Sequence, residues 1–427
     1  MAGYDPVVFQ NPERAFDGDL VVATYWLEAA TPDLVKKAGD IAIGQTTGGW
    51  TELPRATREV MQKAVGRLLS VIEVPPAEDR LPSPATGALP EKRRAVVRVG
   101  FPVDNLAGDI AAMLVAVYGK VSLDGAIKLV DLEIPKSFAQ KLPGPKLGIE
   151  GVRKALGPDA AERPLAMSIF KPSLGLSAEA LADMLGEQAA GGMDLVKDDE
   201  VLADEKVDSA LKRLELGLNA VAKSGRKMLY AISLTGPADE LIARARKLSK
   251  AGAGALLFNV HAYGFPMMAA LARDPEVSAA IMSHPALAGG FSIEANHGIA
   301  AHLALGKLAR LAGADLVLFP SPYGSVGIRR ESALKLSFAC TRELHGLKRA
   351  FPIPSAGITP SLVPQLIADY GHDVIVNAGG SVHGHPDGAR AGAEAFVAAT
   401  RAAAKGVALP DAAKDSPALK KALEIWK

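Results

Sequence analysis

Residues 191–200 read Gly-Gly-Met-Asp-Leu-Val-Lys-Asp-Asp-Glu, a short apolar run that ends in one lysine and three carboxylates. Strand alternation places Lys197 and Asp199 on one face, with Glu200 where the run ends. Hard oxygen ligands gathered at one point suit Mg²⁺. The same residues could be no more than a lysine neutralised by its acidic neighbours, and composition leaves both readings open. Placement favours chemistry. The cluster closes an apolar run inside an apparent strand–helix repeat, and barrel enzymes carry their reactive groups at the C-terminal ends of strands.

The other strand ends, read the same way, gather Lys171, then Asn259, His261 and His284, then Ser355 and Gly357, and last Gly379 and Gly380. A glycine after a strand is often a turn former. Glycines on both of the last two loops instead suggest backbone N–H groups arranged around a phosphate. His383 and His385 flank Gly384 and raise the possibility of zinc. Zinc needs three or four converging ligands, and neither HExxH nor a cysteine pair is present, so loop-ordering hydrogen bonds are expected there. Tyr263 and Tyr323 lie beside the same loops and are expected to pack with a polar tip.

These positions demand a frame. Apolar strand-like runs occur at 165–170, 195–197, 228–233, 255–260, 279–283, 316–319, 351–354 and 374–377. Helical patterns separate most of them, clearest at 181–190, 211–222, 238–251, 300–311, 332–344 and 362–370. Eight strands alternating with helices predict a parallel (β/α)8 barrel. A doubly wound sheet competes, but no G-x-G-x-x-G opens a first helix. Before residue 140 the pattern is mixed: strands near 20–27, 94–103 and 127–134, and helices near 31–43 and 107–117. That predicts a smaller α+β domain over residues 1–142 and the barrel with a C-terminal tail over 143–427, with Pro143-Gly144-Pro145 at the boundary.

Lys and Arg total 48 against 47 Asp and Glu, so no electrostatic footprint for nucleic acid is expected. Cys340 is the only cysteine, which excludes an internal disulfide and fits a reducing cytoplasm. No apolar run approaches the roughly 20 residues a membrane helix needs, and the first residues lack the pattern of a signal peptide. A soluble cytoplasmic protein is expected.

Gly191-Gly192-x-Asp194-x-x-Lys197-Asp198-Asp199-Glu200 resembles the activation motif of the RuBisCO large chain. Lys171-Pro172-Ser173-Leu174-Gly175-Leu176-Ser177 is similar to its K-P-K-L-G-L-S segment, and Thr47-Gly48-Gly49-Trp50 to its T-G-T-W loop. Pro354-Ser355-Ala356-Gly357 and Ala378-Gly379-Gly380-x-x-x-Gly384-His385-Pro386 resemble its later phosphate loops. The resemblance runs over almost the whole chain. It implies one Mg²⁺ per subunit, held by Asp199, Glu200 and a CO2-derived carbamate on Lys197. It further implies a homodimer or higher oligomer in which Trp50 and Lys120 complete the partner's site, and a small phosphorylated sugar as substrate.

The departures imply a RuBisCO-like, form IV member that does not fix CO2. Ser173 replaces the second lysine of K-P-K, Leu318 stands in place of a barrel histidine, and the loop from Ser321 to Gly327 has no lysine. His284-Pro285 replaces His-Arg, which removes a second phosphate site. Lys120 takes the place of an asparagine and is the expected acid/base, together with Lys171. Trp50, His284, Ser355, Gly357, Gly379 and Gly380 are the expected substrate and phosphate contacts. The departure at Ser173 favours 3-oxo-isoapionate 4-phosphate as substrate, for a decarboxylase or transcarboxylase/hydrolase (a lyase or hydrolase of carbohydrate catabolism). The alternatives are a 2,3-diketo-5-methylthiopentyl-1-phosphate enolase of methionine salvage, favoured by Lys120 and the segment Leu318–Val326, or a non-catalytic scaffold with a relic site.

Overall fold

In the computed structural model, residues 7–8, 19–48, 54–74 and 92–426 are described. Among the described residues thirteen strands follow the chain. They are β1 (Leu20–Ala29), β2 (Arg67–Val74), β3 (Arg93–Pro102), β4 (Ala126–Glu133), β5 (Leu165–Ile169), β6 (Leu195–Lys197) and β7 (Leu229–Ser233). Next come β8 (Ala255–Phe258), β9 (Ala280–Ser283), β10 (Gly298–Ile299), β11 (Leu316–Pro320), β12 (Phe351–Ser355) and β13 (Ile375–Ala378). The chain divides into two units, residues 1–142 with 288–304, and residues 143–287 with 305–427.

The first unit is built on a sheet of order β10-β4-β1-β3-β2. Its neighbours are antiparallel except β10 and β4, which pair in parallel through Gly298↔Lys128 and Ile299↔Leu129. Along β1, Val21, Ala23, Tyr25 and Leu27 are buried and the residues between them are not, the signature of a sheet with one covered face. β10 belongs to residues 288–304, which leave the barrel sequence after β9 and pack in this unit.

The second unit holds eight parallel strands in the order β12-β11-β9-β8-β7-β6-β5-β13. The terminal strands β12 and β13 adjoin, and Asn377 Nδ2 donates to Ser355 Oγ across them at 2.9 Å, so the sheet is barrel-like. The eight strand positions agree with the apolar runs of the sequence to within one or two residues. Short, largely apolar strands arise because both faces are covered, the inner by facing strands and the outer by helices. Leu195, Leu257, Met282, Ile353 and Ile375 point inward into one core cluster. Two residues further along each strand direction, alternation brings Lys197, Asn259, His284, Ser355 and Asn377 to the same inner face at the C-terminal mouth. The apolar layer is thus the floor on which the polar layer stands.

Between barrel strands the helices include Ala178–Ala190, capped by Ser177 Oγ accepting from Ala180 N at 3.2 Å, and Val207–Lys223. The expected helix at 300–311 is a π-turn over His302–Lys307 that passes into a short α-turn, Leu308–Leu311. Among the described residues no helix is long and apolar enough to cross a membrane.

Candidate active site

Lys197 ends β6 with its side chain wholly buried. Its Nζ donates to the Asp198 carbonyl at 2.9 Å and lies 3.5 Å from Glu200 Oε2. Burial pushes its ammonium toward the neutral amine, against the opposing charges of Glu200, Asp199 and Asp198. A neutral amine is the form that can react with CO2.

Asp199 Oδ2 accepts from Lys171 Nζ at 2.8 Å and from Ser173 Oγ at 2.7 Å, and Lys171 Nζ also donates to Ser173 Oγ at 2.9 Å. Burial raises the Asp199 carboxyl. The hydrogen bonds from Lys171 and Ser173, with the charges of Lys171 and Lys197, outweigh it and hold the group down at about 2. Glu200 is met from the other side by His284 Nε2 at 3.2 Å, and its carbonyl accepts from Asn259 Nδ2 at 3.1 Å. His284 Nδ1 accepts from Ala286 N at 3.2 Å, which leaves the ring proton on Nε2, facing Glu200. Burial, then the charge of Lys197, lowers this imidazole to about 3, so it donates to Glu200 as a neutral ring. Asp198 faces away. It is fully buried against Tyr230 OH at 2.5 Å, Arg213 Nη2 at 2.9 Å and Ser233 N at 2.9 Å.

The glycine loops flank this cluster. A Cβ on Gly379 would meet the Lys171 side chain at 3.5 Å, so the loop after β13 lies directly on that lysine. After β12, Ala356 and Gly357 both take left-handed φ, 71° and 69°, a strained setting for alanine. Among the described residues the amides of Gly357 and Gly379 donate to no main-chain acceptor. The Asn259 and Asn377 side-chain oxygens are buried without a hydrogen-bond partner. Polar atoms of this kind at a strand mouth suit a polar ligand.

Two sets of contacts therefore meet at adjacent residues, Lys171 with Asp199, and Lys197 and His284 with Glu200, and Gly379 lies against Lys171. Ser355 instead bonds Asn377 and the Ile353 carbonyl. Lys120 lies exposed in the first unit, on the turn Lys120–Leu123. Trp50 lies outside the described residues. Tyr263 OH bonds Gly236, and Tyr323 OH bonds Asp369, so both act as packing residues with polar tips. His383 and His385 make main-chain hydrogen bonds to Ile169 and Ala418. Asn377 was missed as a site residue, although a polar residue two places after Ile375 in an apolar strand could have been read as inward-facing.

Among the described residues no three His, Cys, Asp or Glu side chains converge to hold an ion. Asp199 and Glu200 offer two carboxylates, and a carbamate on the buried, amine-biased Lys197, 3.5 Å from Glu200, would add the third hard oxygen donor. The residues therefore fit Mg²⁺ with a carbamylated lysine.

The barrel, the α+β unit and the lysine–carboxylate mouth define a class, and the sequence assigns it. The catalytic domain of the ribulose bisphosphate carboxylase large chain matches residues 148–321 and 327–426, and this chain belongs to that family as a RuBisCO-like, non-carboxylating member. It is 45% identical over 412 residues to the 2,3-diketo-5-methylthiopentyl-1-phosphate enolase of Geobacillus kaustophilus, covering 95% of this chain and 98% of that one. The crystal structure of a rubisco-like protein (MtnW) from Alicyclobacillus acidocaldarius is 44% identical with a TM-score of 0.86, covering 96% and 100% of the two chains. The dimeric archaeal Rubisco of Hyperthermus butylicus is 26% identical with a TM-score of 0.84, covering 97% and 98%.

Identity of 44–45% to enolases over 95% of the chain overturns the expectation of a 3-oxo-isoapionate 4-phosphate decarboxylase or transcarboxylase/hydrolase. That expectation rested on Ser173. In the structure Ser173 hydrogen-bonds both Asp199 and Lys171, so its hydroxyl is engaged with the carboxylate beside it.

Proposed function

We propose that this chain is an Mg²⁺-dependent enolase acting on 2,3-diketo-5-methylthiopentyl 1-phosphate. The observation that carries the substrate is the 45% identity to such an enolase over 95% of the chain. The geometry supports the reaction type: Lys171 beside the Asp199 carboxylate, glycine loops for a single phosphate, and no lysine in the loop after β11.

Lys197, as its carbamate, with Asp199 and Glu200 would hold the ion, which when bound stabilises negative charge on the substrate's oxygens. The amides of Gly357, Gly379 and Gly380, with Ser355, cradle the phosphate. His284 keeps Glu200 oriented through its Nε2 proton. Lys171, held by Ser173 and Asp199, presents its ammonium beside the substrate carbonyl. Enolisation moves one proton from a carbon next to the diketone to a carbonyl oxygen. Lys120 takes that carbon-bound proton; Lys120 and Trp50 both come from a second copy of the chain in the dimer that the family resemblance implies. Lys171 supplies the proton to oxygen.

The purified protein, with Mg²⁺ and bicarbonate, is expected to convert this diketone phosphate to its enol, followed by ultraviolet absorbance and by hydrogen exchange in D2O. Lys197→Ala is expected to abolish both signals. A wild-type protein that leaves the diketone unchanged would overturn the assignment.

A further inference from the structure

Asp198 stands between two proposed holders of the ion, yet its carboxylate takes no part in the chemistry. All its polar groups are engaged. The carboxylate accepts from Tyr230 OH, Arg213 Nη2 and Ser233 N at 2.5, 2.9 and 2.9 Å. The amide donates to the Ala231 carbonyl at 3.0 Å, and the carbonyl accepts from Lys197 Nζ at 2.9 Å. Arg213 reaches on to Asp204 through two bonds of 2.9 and 2.8 Å, and Arg244 grips the Asp204 carbonyl at 3.0 Å. The loop that follows Glu200 is thereby tied to the helix Val207–Lys223. Tyr230 also sets its ring edge-on against Phe170, whose amide donates to the Lys197 carbonyl at 3.3 Å.

Burying a carboxylate and a guanidinium together gives little net stability, because desolvation offsets their attraction. What such a network does provide is a single orientation. Without Tyr230 and Arg213, only the Ser233 amide and the bond from the Asp198 amide to the Ala231 carbonyl hold this peptide, and it can tilt, which loosens its carbonyl from Lys197 Nζ and shifts Asp199 off its inward direction. We infer that Asp198, backed by Tyr230, Arg213 and Asp204, is a positioning unit that sets Lys197 and Asp199 for the capture of CO2 and Mg²⁺. This rests on Lys197, Asp199 and Glu200 being the residues that hold the ion.

Tyr230→Phe tests it, since the ring and its contact with Phe170 stay while one hydrogen bond to Asp198 goes. The readouts need no substrate: the ¹³C NMR signal of the lysine carbamate formed from labelled bicarbonate, and Mn²⁺ binding followed by electron paramagnetic resonance. Loss of one hydrogen bond to a charged group predicts about a tenfold rise in the metal concentration for half-saturation, with lower carbamate yield and unchanged circular dichroism. Asp204→Asn, further from the site, is expected to give a several-fold shift in the same direction and serves if Tyr230→Phe fails to fold. Carbamate yield and Mn²⁺ affinity equal to wild type, with only a lower melting temperature, would overturn the positioning role alone. A wild-type chain that traps no CO2 would overturn the reading of the metal site and this inference with it, whatever the chain does to the diketone.

Discussion

Lys171 places its ammonium 2.8 Å from an oxygen of Asp199, a carboxylate that Mg²⁺ would also claim. Its charge therefore opposes the ion while it serves the substrate. Lys171→Met should remove both effects. Turnover is expected to fall roughly a thousandfold, as for loss of a general acid. Mg²⁺ binding in bicarbonate, measured by calorimetry, should hold or tighten, because a like charge has left the site. Turnover within a few-fold of wild type would remove Lys171 from the acid/base role. The sequence made this lysine legible, since it follows an apolar run and so had to lie at a strand end. It could not tell how Ser173 would be used. A hydroxyl in place of an ammonium reads as a lost substrate contact until the fold sets it 2.7 Å from Asp199.

Barrel strands were legible as elements because burial on both faces leaves unbroken apolar runs that little else in a soluble chain produces. Two strands, β2 and β10, were missed. β2 has the burial of an edge strand, with Ile72 and Glu73 exposed, and β10 has only two residues, which pair with β4 from far away in sequence. The interlock between the loops after β11 and β12 was equally hidden. Ser321 N donates to the Ser355 carbonyl at 2.8 Å, and a Cβ on Gly324 would lie 1.7 Å from the Ala356 carbonyl oxygen. Gly324 is therefore required by close backbone approach, with no need of a left-handed φ. Gly324→Ala must push Ser355, Ala356 and Gly357 from their positions. It is expected to lower unfolding stability by about 1–3 kcal/mol and to raise KM for a phosphorylated substrate more than it changes kcat. Thermal melts and steady-state kinetics read both effects. An alanine variant with wild-type KM would separate this loop from phosphate binding.

Over the whole molecule, three buried histidines contribute to how the fold answers to acid. Burial lowers His261 to about 4 and His284 to about 3, and lowers His383 as well. Each is neutral in the folded chain at a pH where the unfolded chain, with an ordinary value near 6.5, already binds a proton. The unfolded state then holds more protons, so stability is complete above about pH 6.5 and falls as the pH drops toward the folded values. Asp199, held at about 2, adds a loss only below the ordinary carboxylate value. Asp315 acts in the opposite sense, since burial raises its carboxyl and the folded chain takes up that proton first. A single substitution isolates the histidine contribution from these. Between pH 6.5 and 4.5, without metal, His261→Gln should show a shallower fall in unfolding free energy than wild type, by about 1.4 kcal/mol per pH unit where the proton difference is complete. Urea titrations across that range measure both slopes. Parallel slopes would mean that His261 is protonated in the folded chain, and that the apolar surroundings of the barrel do not govern its charge.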